Sequence, residues 1–312
     1  MIQARLLRHT ILILFISWLA LLYGCAHKDI RRISDEYIKR PHIQTRFQDG
    51  WFLVANQPVG TRYRVLLLPG FLCTDGIYRD MLTDMARRAA AVQLVAGNPP
   101  GFKGLPVEKD FDFSIASYAK KVCDLNDLES YDLIVGHSFF ANVLIEVAVN
   151  DRYQGRLMLL SPSLSRDSED ADTRFYDRIT RVPLVGRACT LISYQMMYSI
   201  FEPYFIDEKK HKIDELVIEA QKTPRYISRR LIHAFFDHID KHGDLAERLT
   251  QTNRPVMYVR GVDDNVKLLP KHRQQLAASP LITLREFEGS KHFVMIDYPG
   301  RLNRLIIKML GG

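Results

Sequence analysis

Six short, mainly apolar runs constrain the fold of this 312-residue chain more than any other feature of its sequence. Runs of this length and composition are typical of parallel strands that helices cover on both faces. Stretches with helical periodicity separate most of them. This alternation predicts right-handed crossovers and an α/β fold with a doubly wound, mostly parallel sheet. The predicted strands are 64–68, 92–96, 131–135, 156–160, 256–261 and 282–287, and the predicted helices are 77–91, 115–128, 141–149 and 301–310.

The longest interruption of this pattern, residues 164–250, predicts a separate helical unit. It is rich in helix-forming and aromatic residues and lacks the apolar runs that indicate strands. A structureless connection of this length is rare inside a compact domain. We therefore expect a helical cap inserted into an α/β domain that spans residues 46–312.

Composition excludes several classes of protein. The chain is 47% hydrophobic and 25% charged, which is typical of a globular protein and not of a disordered one. Lys and Arg number 43 and Asp and Glu 36, a net charge of +7 that is spread along the chain. Without a basic stripe we predict no nucleic-acid partner, whereas an anionic membrane surface is compatible with this charge.

The first 24 residues have the pattern of a signal peptide. Arg5 and Arg8 precede the 13-residue run Ile11–Tyr23, which is apolar apart from Ser17. A membrane-spanning helix needs about 20 such residues, so a secretory signal is favoured. The run ends in the sequence LYGC at residues 22–25, which resembles the lipobox of bacterial lipoproteins.

This resemblance implies cleavage before Cys25 and attachment of lipid to that cysteine. Ala26 follows, where lipoproteins retained in the inner membrane favour Asp, so the resemblance implies a bacterial cell envelope protein in the outer membrane, facing the periplasm. Residues 25–45 are polar and weakly patterned, which suits a tether. The alternative is an uncleaved anchor helix in the inner membrane, because no charge lies between Arg8 and Lys28.

The other cysteines and the cap histidines give no metal or cofactor signature. Cys73, Cys123 and Cys189 are widely spaced, which favours buried free thiols over a disulfide framework, with one bridged pair as the alternative. His238 and His242 are four residues apart, but without an HExxH motif a solvated helix face is favoured over a metal site. The chain also has no glycine-rich phosphate loop. We predict no metal and no cofactor.

Ser138 lies between a predicted strand and a predicted helix, in the sequence VGHSFFA at residues 135–141. A sharp turn there would lift the hydroxyl above the sheet and direct the N–H groups of the next helix toward it. Developing negative charge would then meet backbone donors. This geometry suits a nucleophile, and the alternative is a serine that only caps a helix.

An acid and a histidine follow two later strands. Asp263 and Asp264 come after the strand 256–261, and His292 comes after the strand 282–287. Residues at the carboxyl ends of parallel strands face one crevice. A serine hydroxyl needs a base to take its proton and an acid to orient that base, and the chain supplies these in the order serine, acid, histidine. We expect one of the two aspartates to belong only to a solvated turn.

Together these motifs resemble those of the α/β-hydrolase superfamily with a helical cap, over roughly residues 46–312. The matching sequences are LPGF at 68–71, NPPGF at 98–102, GHS at 136–138, GVDD at 261–264 and GSKHF at 289–293.

The resemblance implies a role for five residues. Ser138 would be the nucleophile, and His292 the general base and then the general acid. In that family the acid lies three residues after the strand-ending glycine, which selects Asp264 as the orienting carboxylate. The backbone N–H groups of Phe71 and Phe139 would form the oxyanion hole.

Three positions depart from the family pattern. Phe140 stands two residues after the nucleophile, where a small residue normally lets helix and strand approach. Pro69 replaces a frequent histidine before the oxyanion glycine, and Lys291 replaces a glycine before His292. None of them removes a triad member, so an active enzyme is favoured over a non-catalytic relative.

The predicted function is therefore that of a serine hydrolase that cleaves a carboxylic ester or thioester of a small lipophilic substrate through an acyl-enzyme. Met and aromatic residues recur at helical spacing between Phe175 and Phe205. They are most simply the core of the cap, but toward the nucleophile they would offer an apolar surface to an acyl chain. The alternatives are acyl transfer with the same triad, and an envelope binding or scaffold lipoprotein without turnover.

Overall fold

In the computed structural model, the eight strands found among the described residues form one sheet, with helices on both sides. The structure describes residues 43–88 and 91–311. The predicted signal peptide (1–24), the predicted lipid site Cys25 and residues 26–42 of the predicted tether lie outside the described residues. Within the described part of the chain, every helix is too short or too polar to cross a membrane.

The sheet has the predicted doubly wound, mostly parallel arrangement. Its spatial order is β1-β2-β4-β3-β5-β6-β7-β8. Strands β3 to β8 pair in parallel, whereas β1 and β2 are antiparallel to each other and β2 is antiparallel to β4. The strands are β1 (Ile43–Gln48), β2 (Trp51–Asn56), β3 (Tyr63–Leu68), β4 (Val92–Asn98), β5 (Leu133–His137), β6 (Arg156–Leu160), β7 (Val256–Gly261) and β8 (Ile282–Phe287).

The antiparallel hairpin β1–β2 differs from the sequence prediction, which placed residues 43–45 in the tether. Asp49 and Gly50 connect the two strands, with φ of 52° and 83°. Positive φ at both central residues defines the tight hairpin turn for which Asp-Gly is a preferred sequence. Strand β1 lies at the sheet edge and is largely exposed, so it lacks an apolar run. Strand β2 is buried and mostly apolar, and the sequence prediction missed it as well.

The helices cover both faces of the sheet and build the cap. Six of them, α4 to α9, lie between β6 and β7 and form the inserted helical unit that the sequence predicted. The helices are α1 (Arg79–Arg87), α2 (Ile115–Cys123), α3 (Phe139–Val149), α4 (Ala171–Thr180), α5 (Val185–Gln195), α6 (Met197–Phe201), α7 (Ile213–Gln221), α8 (Arg225–His242), α9 (Leu245–Thr250), α10 (Pro270–Ala278), α11 (Val294–Asp297) and α12 (Pro299–Leu310).

Strand register brings several loops together at one edge of the sheet. Leu68 of β3 pairs with Gly136 of β5, and His137 of β5 pairs with Leu160 of β6. Gly261 of β7 pairs with Phe287 of β8. Because these strands are parallel, the segments that follow them leave the sheet side by side. The loops after β3, β5, β7 and β8 therefore share the carboxyl edge of the sheet.

The three cysteines of the described residues are free thiols, as the sequence predicted. Cys73 is buried as predicted, whereas Cys123 and Cys189 are partly exposed, so the prediction of burial is wrong for these two. Burial raises the pKa of Cys73 to about 12. Since the thiolate is the reactive form, Cys73 is a packing residue at neutral pH.

Candidate active site

Ser138 occupies a strained turn between β5 and α3. Its φ of 50° and ψ of −111° are unusual for a residue with a side chain. Such conformations cost about 1–3 kcal/mol and persist where the surrounding structure imposes them. The Ser138 N–H donates to the Leu160 carbonyl at 2.8 Å, and its own carbonyl accepts from the Asn142 N–H at 3.1 Å. These bonds fix the serine at the point where the sheet meets the buried helix α3.

Phe140 fits behind this turn despite its size. The close approach of helix and strand falls on Gly136, because a Cβ added there would lie 2.5 Å from the Phe140 carbonyl oxygen. The Phe140 ring is fully buried and packs edge-on against the rings of Trp51, Phe102 and Tyr118, at 6.1, 5.9 and 5.3 Å. The predicted crowding is thus relieved by a glycine on the strand and an aromatic cluster around the ring.

Asp264 and His292 form a buried hydrogen-bonded pair after β7 and β8. The His292 Nδ1–H donates to Asp264 Oδ1 at 2.9 Å, and the same oxygen accepts from the Val266 N–H at 2.9 Å. Because a carboxylate only accepts hydrogen bonds, the proton lies on Nδ1 and Nε2 is left to act as a base. Asp263 is exposed, and its backbone N–H donates to the Ser290 carbonyl. The structure therefore joins the second aspartate, not the first, to the histidine.

Each member of this pair stabilises the charge of the other. Burial alone lowers the pKa of His292, but the charge and hydrogen bond of Asp264 outweigh it and raise the pKa above its ordinary value. Burial likewise raises the pKa of Asp264, but the charge and hydrogen bond of His292 outweigh burial, so the pKa of Asp264 lies below its ordinary value. The environment therefore favours the imidazolium–carboxylate pair that forms when His292 accepts a proton.

His137 links Ser138 to this pair. Its ring lies 4.7 Å from the His292 ring, and its Nε2–H donates to the His292 carbonyl at 3.2 Å. Burial, followed by the nearby charge of His292, lowers the pKa of His137 well below its ordinary value, so the ring is neutral. Within the described residues the Ser138 hydroxyl makes no hydrogen bond to His292. Bonds of this type are often long before substrate binds.

The two predicted oxyanion donors flank Ser138. A Cβ on Gly70 would lie 3.1 Å from the Ser138 Cβ and 2.6 Å from His137 Nδ1, so only glycine fits before Phe71. Phe139 is the first residue of α3, where backbone N–H groups have no partner within the helix. Among the described residues, neither the Phe71 N–H nor the Phe139 N–H donates a hydrogen bond. Both are free to bind an anionic oxygen.

The cap supplies residues at His292 that sequence reasoning missed. The Tyr204 ring lies 5.4 Å from the His292 ring, and its hydroxyl donates to Asp170 at 2.5 Å. Glu169 is buried, and burial raises its pKa to about 7, while its charge contributes to the raised pKa of His292. Phe205 stacks on Phe293 at 4.7 Å. Part of the predicted apolar cap core therefore packs directly against the histidine loop.

His238 and His242 differ from their predicted solvated face. His238 is buried, and its ring lies 4.7 Å from that of His242. Glu146 of α3 completes a group whose ligand atoms lie within 4.8 Å of one another. However, Arg248 donates to both Glu146 carboxylate oxygens, at 2.5 and 2.7 Å. The Arg248 guanidinium therefore binds both oxygens of Glu146. The group is best described as an ion pair between the core helix α3 and the cap helix α9, with the two histidines beside it.

Comparison with solved structures identifies the fold of this chain. No family model and no curated protein matches the sequence. A hydrolase from Pseudomonas aeruginosa PA01 has a TM-score of 0.65 at 16% identity, covering 88% of this chain and 100% of that chain. A laboratory-evolved variant of potato epoxide hydrolase has a TM-score of 0.62 at 15% sequence identity, covering 86% of this chain and 98% of that chain. A bromoperoxidase from Bacillus anthracis has a TM-score of 0.64 at 12% sequence identity, covering 86% of this chain and 100% of that chain. The chain therefore has the α/β-hydrolase fold with a helical cap.

Proposed function

We propose that this protein is a serine hydrolase that cleaves a carboxylic ester or thioester of a lipophilic substrate. The observation that carries the proposal is the 2.9 Å hydrogen bond from His292 Nδ1 to Asp264, at the sheet edge where Ser138 sits on a strained turn. A buried acid–histidine pair beside a serine of this geometry is the arrangement of nucleophilic acyl transfer. The hydrolases among the structural neighbours are compatible with this activity.

In the proposed reaction the Ser138 Oγ attacks the substrate carbonyl carbon while His292 Nε2 takes the hydroxyl proton. The N–H groups of Phe71 and Phe139 bind the negative oxygen of the tetrahedral intermediate, and each such donor contributes about 10²–10³ in rate. Collapse breaks the bond to the leaving alcohol or thiol, which receives the proton from His292. Water, activated by His292, then attacks the acyl-enzyme and releases the acid with free Ser138.

The aromatic surroundings support a lipophilic substrate. The Tyr204 ring contacts the His292 ring edge-on, and the Phe235 ring of α8 lies 6.3 Å from the ring of Phe139, the residue after Ser138. Burial of an acyl chain among such rings gains about 0.8 kcal/mol for each methylene, or roughly fourfold in kcat/KM.

A series of p-nitrophenyl esters from acetyl to dodecanoyl tests this assignment. We expect kcat/KM to rise with chain length, by at least tenfold overall, with Ser138→Ala as the blank for background hydrolysis. Highest activity on the acetyl ester would contradict the lipophilic assignment while leaving the hydrolase proposal in place. No observation in the structure favours the acyl transferase or the non-catalytic scaffold over the hydrolase.

We also propose that this activity is held at a bacterial envelope membrane by lipid on Cys25. The support is the lipobox-like sequence at residues 22–25. Metabolic labelling with palmitate is expected to mark the wild-type chain and not Cys25→Ala. Cys189→Ala is the matched control and should keep the label. Equal labelling of the two variants would show that the lipid is not on Cys25.

A further inference from the structure

A groove of about 510 Å³ lies on the cap between the loop before α5 and the helix α8. Four arginines line it, and no aspartate or glutamate is found among the described residues of its wall. Two of them, Arg181 and Arg187, flank the loop, and the other two, Arg229 and Arg230, are on α8. The proposed reaction uses none of these residues.

Three of the four arginines form no ion pair within the described part of the chain, and one of these, Arg230, stacks on the Phe113 ring at 4.7 Å. Arg181 forms ion pairs with Asp177 and Asp237 at 2.8 and 2.9 Å. Within the described part of the chain, no carboxylate forms an ion pair with Arg187, Arg229 or Arg230. Between residues 174 and 200 the sequence has four arginines and one acid, the buried Asp177. The groove therefore has excess positive charge that a negatively charged partner would neutralise.

Beside the arginines, three apolar side chains project into solvent. Val182, Leu184 and Val185 are 45%, 74% and 44% exposed. Leu184 also has a φ of 65° and a ψ of −53° and lies at the centre of a γ-turn closed by the Val185 N–H on the Pro183 carbonyl, a rare and strained conformation for a residue with a side chain. Neither folding stability nor solubility accounts for a leucine held outward in this conformation. Exposed apolar residues surrounded by a basic rim are typical of surfaces that lie on membranes.

We propose that this face of the cap docks on a bilayer leaflet that contains anionic phospholipids. The arginines bind the lipid phosphates, and Val182, Leu184 and Val185 insert among the acyl chains at the headgroup boundary. A nucleic acid would satisfy the charge but would leave the apolar side chains in water. The proposal concerns a surface of the folded body, is independent of lipid on Cys25, and does not require turnover.

The same helix connects this face to the candidate active site. Arg229 of α8 lines the groove, and six residues further along Phe235 packs on Phe139. Six residues of α-helix span about 9 Å. Docking would therefore hold the part of α8 that packs on Phe139, the residue after Ser138, close to the lipid surface, which is the source of lipophilic substrates that the proposed function requires.

Hydrogen–deuterium exchange of the full chain tests this surface. Exchange is compared on vesicles of equal phosphatidylglycerol and phosphatidylcholine and on vesicles of phosphatidylcholine alone, so that the N-terminal segment contributes equally to both. We expect peptides covering 181–188 and 225–233 to exchange more slowly on the anionic vesicles by at least about fivefold, roughly the effect of one basic residue at an anionic surface. Peptides from the hairpin at 43–56 should not change.

Two variants sharpen the test. Arg187→Gln with Arg229→Gln, and separately Leu184→Asn, should lose the protection, whereas Lys109→Gln, an exposed cation outside the cap, should keep it. Asn tolerates positive φ, so Leu184→Asn removes the apolar side chain without added backbone strain. Equal protection on both vesicle types, or protection retained in the arginine variant, would overturn the proposal. Protection that appears without lipid and grows with protein concentration would instead identify a second copy as the occupant and overturn it too.

Discussion

Ser138→Ala is expected to abolish labelling by a fluorophosphonate probe and to lower kcat for ester hydrolysis by about 10⁶-fold, the scale seen when a serine nucleophile is removed. The probe reacts only with a hydroxyl that a neighbouring base activates. Ser138 has that position here, on a turn at φ 50° beside the His137–His292 stack. Gel detection of the labelled chain and steady-state kinetics on a chromogenic ester give two independent measurements.

Ser199→Ala is the matched control for this experiment. Ser199 is an exposed cap serine, and its variant should label and turn over like the wild type. Circular dichroism should show that both variants are folded. A folded wild-type chain that neither labels nor hydrolyses any ester would exclude the hydrolase and favour the binding or scaffold protein. Labelling that survives in Ser138→Ala would place the nucleophile elsewhere.

Asp264→Asn is expected to lower kcat by about 10⁴-fold, because an amide can stabilise the wrong imidazole tautomer. It also removes the charge that raises the pKa of His292, so burial then lowers that pKa. His292 must be neutral to accept a proton, so activity is lost as the pH falls through its pKa. The acid limb of kcat/KM should lie above the ordinary histidine value of 6.5 in the wild type and move to lower pH in the variant.

Two acids serve as controls for Asp264. Asp263→Asn should leave both kcat and the acid limb unchanged, since Asp263 is exposed and its side chain makes no hydrogen bond among the described residues. Glu169→Gln removes a negative charge near His292 but leaves the hydrogen bond between His292 and Asp264 in place. The acid limb of kcat/KM should therefore move to lower pH, while kcat stays within about tenfold of the wild type. A larger loss of kcat in Asp263→Asn than in Asp264→Asn would show that the acid is wrongly assigned.

Much of the fold could be predicted because buried parallel strands have a distinctive sequence. The four strands β3, β4, β6 and β7 are apolar on both faces, and their runs stand out from the helical stretches between them. Strand β1 could not be found in this way because most of its residues are exposed. The Asp49-Gly50 pair was a usable signal for the hairpin, but an edge strand gives that signal little support from its own composition.

The residues of the candidate site likewise fall into two groups, those that could be predicted from the sequence and those that could not. Residues that follow strands, such as Ser138, Asp264 and His292, can be placed together because strand order and direction bring their loops to one edge. Glu169 and Tyr204 belong to the cap, whose packing depends on side-chain contacts across helices and has no simple period in sequence. His137 was visible beside Ser138 in the sequence, but its contact with His292 depends on the register of β5 against the loop after β8.

The contact between Tyr204 and His292 has a consequence for how this molecule can be altered. The cap is usually regarded as the part of such a fold that can be exchanged to suit a new substrate while the chemistry stays constant. Here Tyr204, a residue of the cap, contacts the imidazole directly. Under the proposed function the same residue would also border the substrate. If the protein has the proposed activity, cap variants selected for a different acyl group should therefore also show a changed pH optimum.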